Sequence, residues 1–321
     1  MLSAGYRPYS EVYITYPPLY PLTIFTVWEV WPTEAAQRWF SLGFTAFGVV
    51  GIALLARRFA GPVAGVIAAV LALASSPLIE HSRAVMGEFH AVAWSVWAIW
   101  LAWGYLEAET VRLRRLLLIL SALALSASLL TKLLLPFVGP LVGLIIIARW
   151  WPEKASLRDV IRLWQHNRPA VVARFKPLLA DLLLWSVVLL LPIIIMFVVN
   201  DVGSLFQQVI AQRLDARDAY TSSDGFWTLR GKFGRQFWQS NPGFIIITLL
   251  GFGLAWFQRR RRLWLMVTWL GLAFLMLAVH NPIRYKHFLI LTPPFAIFGA
   301  VAVTYWVEQV YSVWKPRSRG R

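Results

Sequence analysis

Nine long apolar runs, separated by short polar loops, constrain the fold of this chain more than any other feature of its sequence. A membrane-spanning helix needs roughly 20 apolar residues to cross about 30 Å of hydrocarbon. Of all residues, 59% are hydrophobic and only 14% are charged, which is less charge than a soluble domain carries. The pattern predicts an all-α, polytopic integral membrane protein with about nine transmembrane helices. The predicted spans are residues 36–56, 62–79, 89–106, 116–131, 134–149, 178–199, 243–257, 263–279 and 288–308.

The chain is predicted to form a single membrane domain over residues 1–321, because no internal repeat or low-complexity linker divides it. Residues 1–35 are expected to form an outer segment with an interfacial helix after Pro21. Residues 36–308 form the transmembrane bundle, with its largest outer loop at 200–242. Residues 309–321 form a basic cytoplasmic tail.

Two breaks in the apolar pattern define turns. The first two spans are expected to form a hairpin that turns at residues 57–62, which contain two arginines, Gly61 and Pro62. The apolar run at residues 116–148 would be about 50 Å long as one helix, which is too long for one span. Lys132 and Pro136 supply the expected break within it.

The basic residues are distributed unequally between the two sets of loops. If alternate loops face opposite sides, 20 of the 31 Lys and Arg lie on one side, and four of the five His lie on the other. The positive-inside rule makes the basic side cytoplasmic. Anionic inner-leaflet lipid then accounts for the net charge of +16 without nucleic acid. We therefore expect a multi-pass cell-membrane protein whose working face is extracytoplasmic.

The layout places the amino terminus outside, although the first 35 residues show no signal-peptide pattern. We expect a further span upstream of Met1, so that the chain is a fragment of a longer protein. Export of an outer amino terminus without a signal is the alternative.

Ionisable residues avoid the centres of the apolar runs and gather at the outer span ends, where they are candidates for function. A transporter would be expected to show acids at the bilayer midplane or broken helices in matching halves. A site at the membrane boundary instead suits a substrate that is part lipid and part polar. The gathered residues are Glu11, Glu80, His81, Arg83, Glu88, His90, Lys132, Arg284, Lys286 and His287.

A series of short motifs follows the same order as in a known family. They are Gly5-x-x-Pro8-Tyr9, Tyr16-Pro17-Pro18-Leu19, Ala56-Arg57-Arg58-Phe59-Ala60-Gly61, Ser75-Ser76-Pro77, Ser82-Arg83, Gly87-Glu88, Thr131-Lys132, Arg284-Tyr285 and Pro293-Pro294. In their order and sidedness the chain resembles the GT-C membrane glycosyltransferases. Among these it resembles the protein O-mannosyltransferase and aminoarabinose-transferase group (family 39-like), including the Rgt-type bacterial relatives.

The resemblance implies a polyprenyl-phosphate-linked sugar as donor and an envelope lipid, glycan or protein as acceptor. In that family an acidic residue takes the acceptor proton and cations stabilise the departing phosphate. Glu88 stands where the family carries its second-loop acid. Glu11 is the carboxylate nearest to the family's principal first-loop acid, which lies upstream of this chain's first residue.

The resemblance also implies roles for the remaining outer residues. Lys132 and Arg284 match donor-phosphate positions, and Tyr16 stands where many relatives place a Lys. A divalent metal held by Glu88 and His90 is a further expectation, and no other cofactor is expected. The complete set of donor-phosphate candidates is Lys132, Arg284, Arg83, Tyr16 and Lys286, and the acceptor-stacking candidates in the outer loop are Tyr220 and Trp227.

Other interpretations stay open at this stage. Glu88 also fits a purely electrostatic role at a helix amino terminus, and Lys132 fits an interfacial lysine that extends to the headgroups. The chain as a whole fits a non-catalytic polyprenyl-lipid binder or a lipid-linked glycan transporter. A polymer ligase or polymerase would be expected to have an outer loop rich in Arg and His, whereas residues 200–242 contain no His.

Overall fold

The computed structural model describes residues 5–82, 84–151, 168–212, 214–215, 225–258 and 261–314. These residues fold into helices joined by short turns, and no β-strand occurs among them. The helices are α1 Leu19–Val30, α2 Glu34–Leu73, α3 Ser76–His81, α4 Gly87–Glu107, α5 Val111–Thr131, α6 Val138–Trp150, α7 Arg168–Val199, α8 Val202–Phe206 with a π-helical turn at Gln207–Ala211, α9 Gly225–Ser240, α10 Pro242–Gln258, α11 Arg261–Val279, a 3₁₀ helix at Tyr285–Leu291, and α12 Thr292–Trp314.

Several helices have the length and composition needed to cross a membrane. Four pass this test within the described ranges, and a fifth span results if α9 and α10, which meet at 90°, are counted as one bent span. The predicted all-helical class with membrane-length helices is therefore confirmed, whereas the number of nine spans stays a prediction. The four are Glu34–Leu73, Val111–Thr131, Phe175–Val199 and Tyr285–Ser312.

The predicted hairpin between the first two spans lies inside α2. Ala60 and Gly61 leave the helical conformation, and Gly61 has a φ of 83°, which favours glycine. A Cβ added to Gly65 would lie 2.9 Å from the carbonyl oxygen of Ala53. Two residues this far apart in sequence would be separated by about 18 Å in a straight helix. The chain therefore reverses direction at the predicted turn.

The predicted break in the long apolar run is also present. Helix α5 ends at Thr131, Lys132 has an extended conformation, and α6 begins at Val138. Pro136 lies between them, where its ring does not interrupt a helix. The break brings the Lys132 backbone out of the helix and leaves its side chain available to a neighbouring element.

Two boundaries differ from the sequence-based prediction. The interfacial helix α1 begins at Leu19 rather than after Pro21, because a proline is tolerated in a first helical turn. The predicted outer loop at 200–242 contains the helices α8 and α9. The sequence analysis treated the α9 segment as loop, although its polar and aromatic residues follow the 3.6-residue period of an amphipathic helix.

Helix α4 is largely enclosed and packs against α2, α5, α6 and the 3₁₀ helix. Its four tryptophans recur at helical spacing. Trp103 is completely buried, and Trp94, Trp97 and Trp100 are partly buried. They lie against α2, where their partners are the rings of Phe44, Phe47 and Phe59 and the guanidinium of Arg58.

The two ends of α4 are bound by different groups. At its carboxyl end, Arg149 donates hydrogen bonds to the carbonyl oxygens of Tyr105, Leu106 and Ala108 at 3.1, 2.6 and 2.9 Å. These carbonyls have no partner within the helix, and a cation there also offsets the helix dipole. Glu88 lies at the other end, about 30 Å away at 1.5 Å per residue. The arginine-rich end and the Glu88 end are thus separated by one hydrocarbon thickness.

Replacing Gly251 with alanine is expected to destabilise the bundle, because α10 and α12 touch at this residue. The added Cβ would lie 1.9 Å from the carbonyl oxygen of Phe298, so the helices must separate. Overpacking of this kind costs typically about 1–3 kcal/mol, and contact with backbone places Gly251→Ala near the upper end. Unfolding of the purified protein in detergent measures this loss.

Gly253 in the same helix is the matched control, since a Cβ there has no atom within 4 Å among the described residues. Gly253→Ala should be neutral or more stable by up to about 1 kcal/mol, owing to the higher helix propensity of alanine. Equal stability of the two variants would contradict the observed α10–α12 contact.

Candidate functional site

The candidate site is a cluster of charged residues at the amino-terminal end of α4. Glu88 lies in the first turn of this helix. Its Oε1 atom accepts hydrogen bonds from the ammonium groups of Lys132 and Lys286, the latter at 2.6 Å. Lys132 follows α5, and Lys286 belongs to the 3₁₀ helix before α12. Three separate segments therefore meet at one carboxylate oxygen.

These three charged groups are largely removed from solvent. The side chain of Glu88 is 1% exposed, that of Lys132 is 7% exposed and that of Lys286 is 18% exposed. A buried charge is costly unless it is paired, so each lysine gains by contacting Glu88. One carboxylate and two ammonium groups nevertheless sum to one positive charge. The cluster therefore attracts a further anion.

Tyr16 forms one wall of the site. The Nζ atom of Lys132 lies 4.7 Å from the centroid of the Tyr16 ring, a cation–π distance. The Tyr9 hydroxyl donates to the backbone carbonyl of Tyr16 at 2.8 Å, and Tyr9 itself is buried beside α8. Gln208 pairs with the same segment, donating to the Tyr9 carbonyl at 2.5 Å and accepting from the Ile14 amide at 2.7 Å. The outer segment is thus held against Lys132.

A polar network holds the 3₁₀ helix that carries Lys286. The hydroxyls of Ser76 and Tyr285 are 2.9 Å apart, and the Ser76 amide donates to Asn241 Oδ1 at 2.8 Å. The Asn241 amide nitrogen also donates to the Phe237 carbonyl at 2.9 Å. Helix α3, the α9–α10 bend and the 3₁₀ helix are joined in this way. The position of Lys286 therefore depends on buried contacts of its neighbours.

Two of the outer histidines flank the cluster. His287 is buried, its Nδ1 accepts a hydrogen bond from the Arg284 amide at 3.1 Å, and its ring lies 4.3 Å from that of His280. His81 lies in α3, outside the membrane-length helices. Burial lowers the pKa of His81, against the opposing fields of Glu80 and Glu88, and so favours its neutral ring.

His90 lies two residues after Glu88 in α4. Its Nδ1 is 2.8 Å from the Met86 carbonyl oxygen, and its ring is surrounded by the rings of Tyr20, Phe40 and Phe44. No group of three His, Cys, Asp or Glu side chains able to hold a metal occurs among the described residues. The metal expected at Glu88 and His90 stays a prediction without a third ligand in this part of the chain.

The structure brings together only some of the residues that the sequence nominated. Glu88, Lys132, Lys286 and Tyr16 meet in one cluster. Arg284 is exposed at the start of the 3₁₀ helix, and its side chain is not among the groups that contact Glu88.

The remaining nominated residues lie elsewhere or outside the described ranges. Glu11 is exposed, and its Oε2 accepts from the Arg7 amide at 2.6 Å within its own turn. Trp227 is 76% exposed on α9. Arg83 and Tyr220 are not among the described residues.

Sequence reasoning did not nominate Tyr20. Its ring packs on Tyr16 and His90 with centroid distances of 5.1 and 5.5 Å. A Cβ added to Gly87 would lie 3.2 Å from the Tyr20 ring, so this glycine permits the close approach of α1 and α4. In the sequence, the four-residue spacing of Tyr16 and Tyr20 around a helix start could have indicated that the two rings pack together.

Comparisons with known proteins found no relative of this chain. No family model matches it, and no curated protein or solved structure matches it.

Replacing Glu88 with glutamine is expected to destabilise the protein by about 3–5 kcal/mol. The change leaves two buried ammonium groups without their carboxylate, and broken buried ion pairs cost about this much. Glu80→Gln is the control, because Glu80 is exposed on the same outer side. It should alter stability by less than about 0.5 kcal/mol. Unfolding in detergent at neutral pH compares the two variants. A Glu88→Gln protein as stable as the control would mean that the lysines do not depend on this carboxylate.

Proposed function

We propose that this chain is an integral membrane glycosyltransferase that moves a sugar from a polyprenyl-phosphate carrier to an envelope acceptor on the extracytoplasmic face. The observation that carries the proposal is the convergence of Lys132 and Lys286 on the buried carboxylate of Glu88. The resemblance in motif order supports the same class. Lys132 and Lys286 are proposed as the cations that hold the donor phosphate.

The charge of the cluster suits this donor. A sugar joined to a polyprenyl phosphate is a phosphodiester, which carries one negative charge. Its binding would neutralise the single positive charge that Glu88, Lys132 and Lys286 leave together. When the bond to the sugar breaks, the phosphate gains a second negative charge. Two ammonium groups in a water-poor site stabilise this developing charge, as a leaving-group site requires.

The position of the cluster suits a lipid-linked substrate. It lies at the end of α4 opposite Arg149 and Arg58, which the positive-inside rule assigns to the cytoplasmic side. A headgroup at that depth can reach the lysines while its prenyl tail stays in the hydrocarbon. Trp28 and Trp31 of the outer segment are exposed at the same side, where interfacial tryptophans are common.

Binding of undecaprenyl phosphate to the protein in nanodiscs tests the phosphate site. Lys132→Met and Lys286→Met should each weaken binding about tenfold or more, because each removes a charge-assisted hydrogen bond. Lys232→Met is the matched control, since Lys232 is an exposed lysine of α9. Two further ligands separate the contributions of tail and headgroup. Undecaprenol has the same tail and no phosphate, whereas inorganic phosphate has no tail. Equal affinities for undecaprenyl phosphate and undecaprenol would contradict the proposal.

Glu88→Gln provides an independent check, because it is expected to raise the affinity for undecaprenyl phosphate, whereas the lysine variants are expected to lower it. Since Glu88 and the phosphate would compete for the same two lysines, the variant should bind undecaprenyl phosphate more tightly than the wild-type protein does. Saturating lipid should also restore part of the stability that the variant loses, because a ligand of the folded state stabilises it. Weaker binding by Glu88→Gln would show that the lysines do not exchange the carboxylate for a phosphate.

Transfer itself is measured in membrane vesicles that contain the expressed protein and the native envelope acceptors. Radiolabelled polyprenyl-phosphate hexoses, pentoses and aminopentoses serve as donors, and incorporation of label into lipid, glycan or protein is followed. Incorporation that depends on Lys132 and Lys286 is expected for at least one donor. Tight lipid binding with no transfer from any donor would instead identify a non-catalytic polyprenyl-lipid binder.

A further inference from the structure

A second polar cluster lies at the opposite end of α4 from Glu88, where four helices meet. The Tyr105 hydroxyl of α4 donates a hydrogen bond to Asp181 Oδ2 of α7 at 2.7 Å. The indole nitrogen of Trp150, in α6, donates to the same oxygen at 3.1 Å. Arg114 of α5 lies against this group, with its guanidinium carbon 6.0 Å from the centroid of the Trp150 ring. The cluster therefore joins α4, α5, α6 and α7 at one end of the bundle.

The Nε atom of Arg114 is the buried group of this cluster that lacks a hydrogen-bond partner among the described residues. Arg149 donates to three backbone carbonyl oxygens at the end of α4. Asp181 accepts hydrogen bonds from two neutral donors. Arg114 takes part in none of the ion pairs found in the described part of the chain. A buried donor without an acceptor is costly, and native proteins rarely leave one.

The charges of the cluster do not cancel. Arg114 and Arg149 each carry one positive charge and repel each other, whereas Asp181 contributes one negative charge. Of the neighbouring carboxylates, Glu107 has its own arginine partner at 3.3 Å, and Glu109 is exposed to solvent. The cluster therefore keeps one positive charge. The group that completes the hydrogen bonding of Arg114 should be an acceptor that carries negative charge.

The helices around Arg114 have apolar outward faces. Helices α5 and α7 contain segments long and apolar enough to cross a membrane. Exposed leucines follow their outward faces, among them Leu116, Leu120, Leu179 and Leu183. The positive-inside rule assigns this arginine-rich end of the bundle to the cytoplasmic leaflet, which contains anionic lipids. A lipid phosphate is therefore the anionic acceptor that these surroundings favour.

We propose that Arg114 binds the phosphate of an anionic phospholipid of the inner leaflet where α5, α6 and α7 meet. Arg114 is only partly buried, so a ligand can approach it from the surface. A guanidinium presents a planar fork of donors that matches two oxygens of a phosphate. The lipid supplies the negative charge that balances the cluster, and its acyl chains lie along the apolar helices. This site is at the other end of α4 from Glu88 and does not depend on the proposed function.

Native mass spectrometry of the full chain in detergent, titrated with dioleoyl phosphatidylglycerol, tests this site. The wild-type protein should bind this lipid more tightly than dioleoyl phosphatidylcholine, whose headgroup is neutral overall. Arg114→Gln should weaken the tightest phosphatidylglycerol site about tenfold or more, because a charge-assisted hydrogen bond is lost. Arg115→Gln is the matched control, since Arg115 is exposed in the same helical turn. It should change this affinity by less than about threefold.

Thermal unfolding in the same detergent separates loss of the ligand from a defect in folding. Phosphatidylglycerol should raise the unfolding temperature of the wild type and of Arg115→Gln more than phosphatidylcholine does, because a ligand of the folded state stabilises it. This difference between the two lipids should vanish in Arg114→Gln. Arg114→Lys keeps the charge and loses the fork, so it should retain part of the difference. Arg114→Lys also carries the test if Arg114→Gln does not fold.

Three results would overturn the lipid site. The first is equal affinity of the wild-type protein for phosphatidylglycerol and phosphatidylcholine. The second is equal weakening by Arg114→Gln and Arg115→Gln, which would indicate a general attraction of anionic lipid to the basic surface. The third is stabilisation by inorganic phosphate as large as that by phosphatidylglycerol, which would identify a free anion as the ligand.

Discussion

The ion cluster of Glu88, Lys132 and Lys286 is the interaction on which the amino-terminal end of α4, the candidate site, depends. Removing charges from water is costly, and the pairing of Glu88 with the two lysines offsets that cost. The cluster therefore fixes the start of α4, the break after α5 and the 3₁₀ helix before α12 relative to one another. The same cluster leaves one positive charge, which is the property on which the proposed binding of an anionic lipid headgroup rests.

Helix α4 connects this end to the opposite one. Its carboxyl-terminal carbonyls are bound by Arg149, and Glu107 pairs with Arg58 at 3.3 Å. Between the ends, the tryptophan stripe packs on α2 and leaves little of the helix exposed. A rigid, fully packed helix is a suitable support for a site, because side chains on regular elements are positioned more tightly than those on loops. Helix α4 therefore supplies Glu88 from a well-packed element, and other segments bring Lys132 and Lys286 to it.

Sequence reasoning found the four residues of the cluster but not which of them contact one another. The rarity of charges near apolar runs nominated Glu88, Lys132 and Lys286, and the resemblance in motif order nominated Tyr16. Glu11, nominated as an ionisable residue, and Trp227, nominated as an acceptor-stacking residue, are both exposed. Sequence position does not reveal which segments meet. Tyr20 was missed because an aromatic residue at a helix start has many structural uses. Its importance became visible only from its unpaired hydroxyl beside His90.

The sequence by itself determined the helical class, the hairpin within α2 and the break near Lys132. These are local features, set by the length of apolar runs and by glycine and proline at turns. Only the tertiary structure decided which lysines share one carboxylate, which nitrogen of His90 carries its proton, and that α9 is bent by 90° from α10. Those features arise from contacts between residues distant along the chain, and no periodicity within a single segment encodes them.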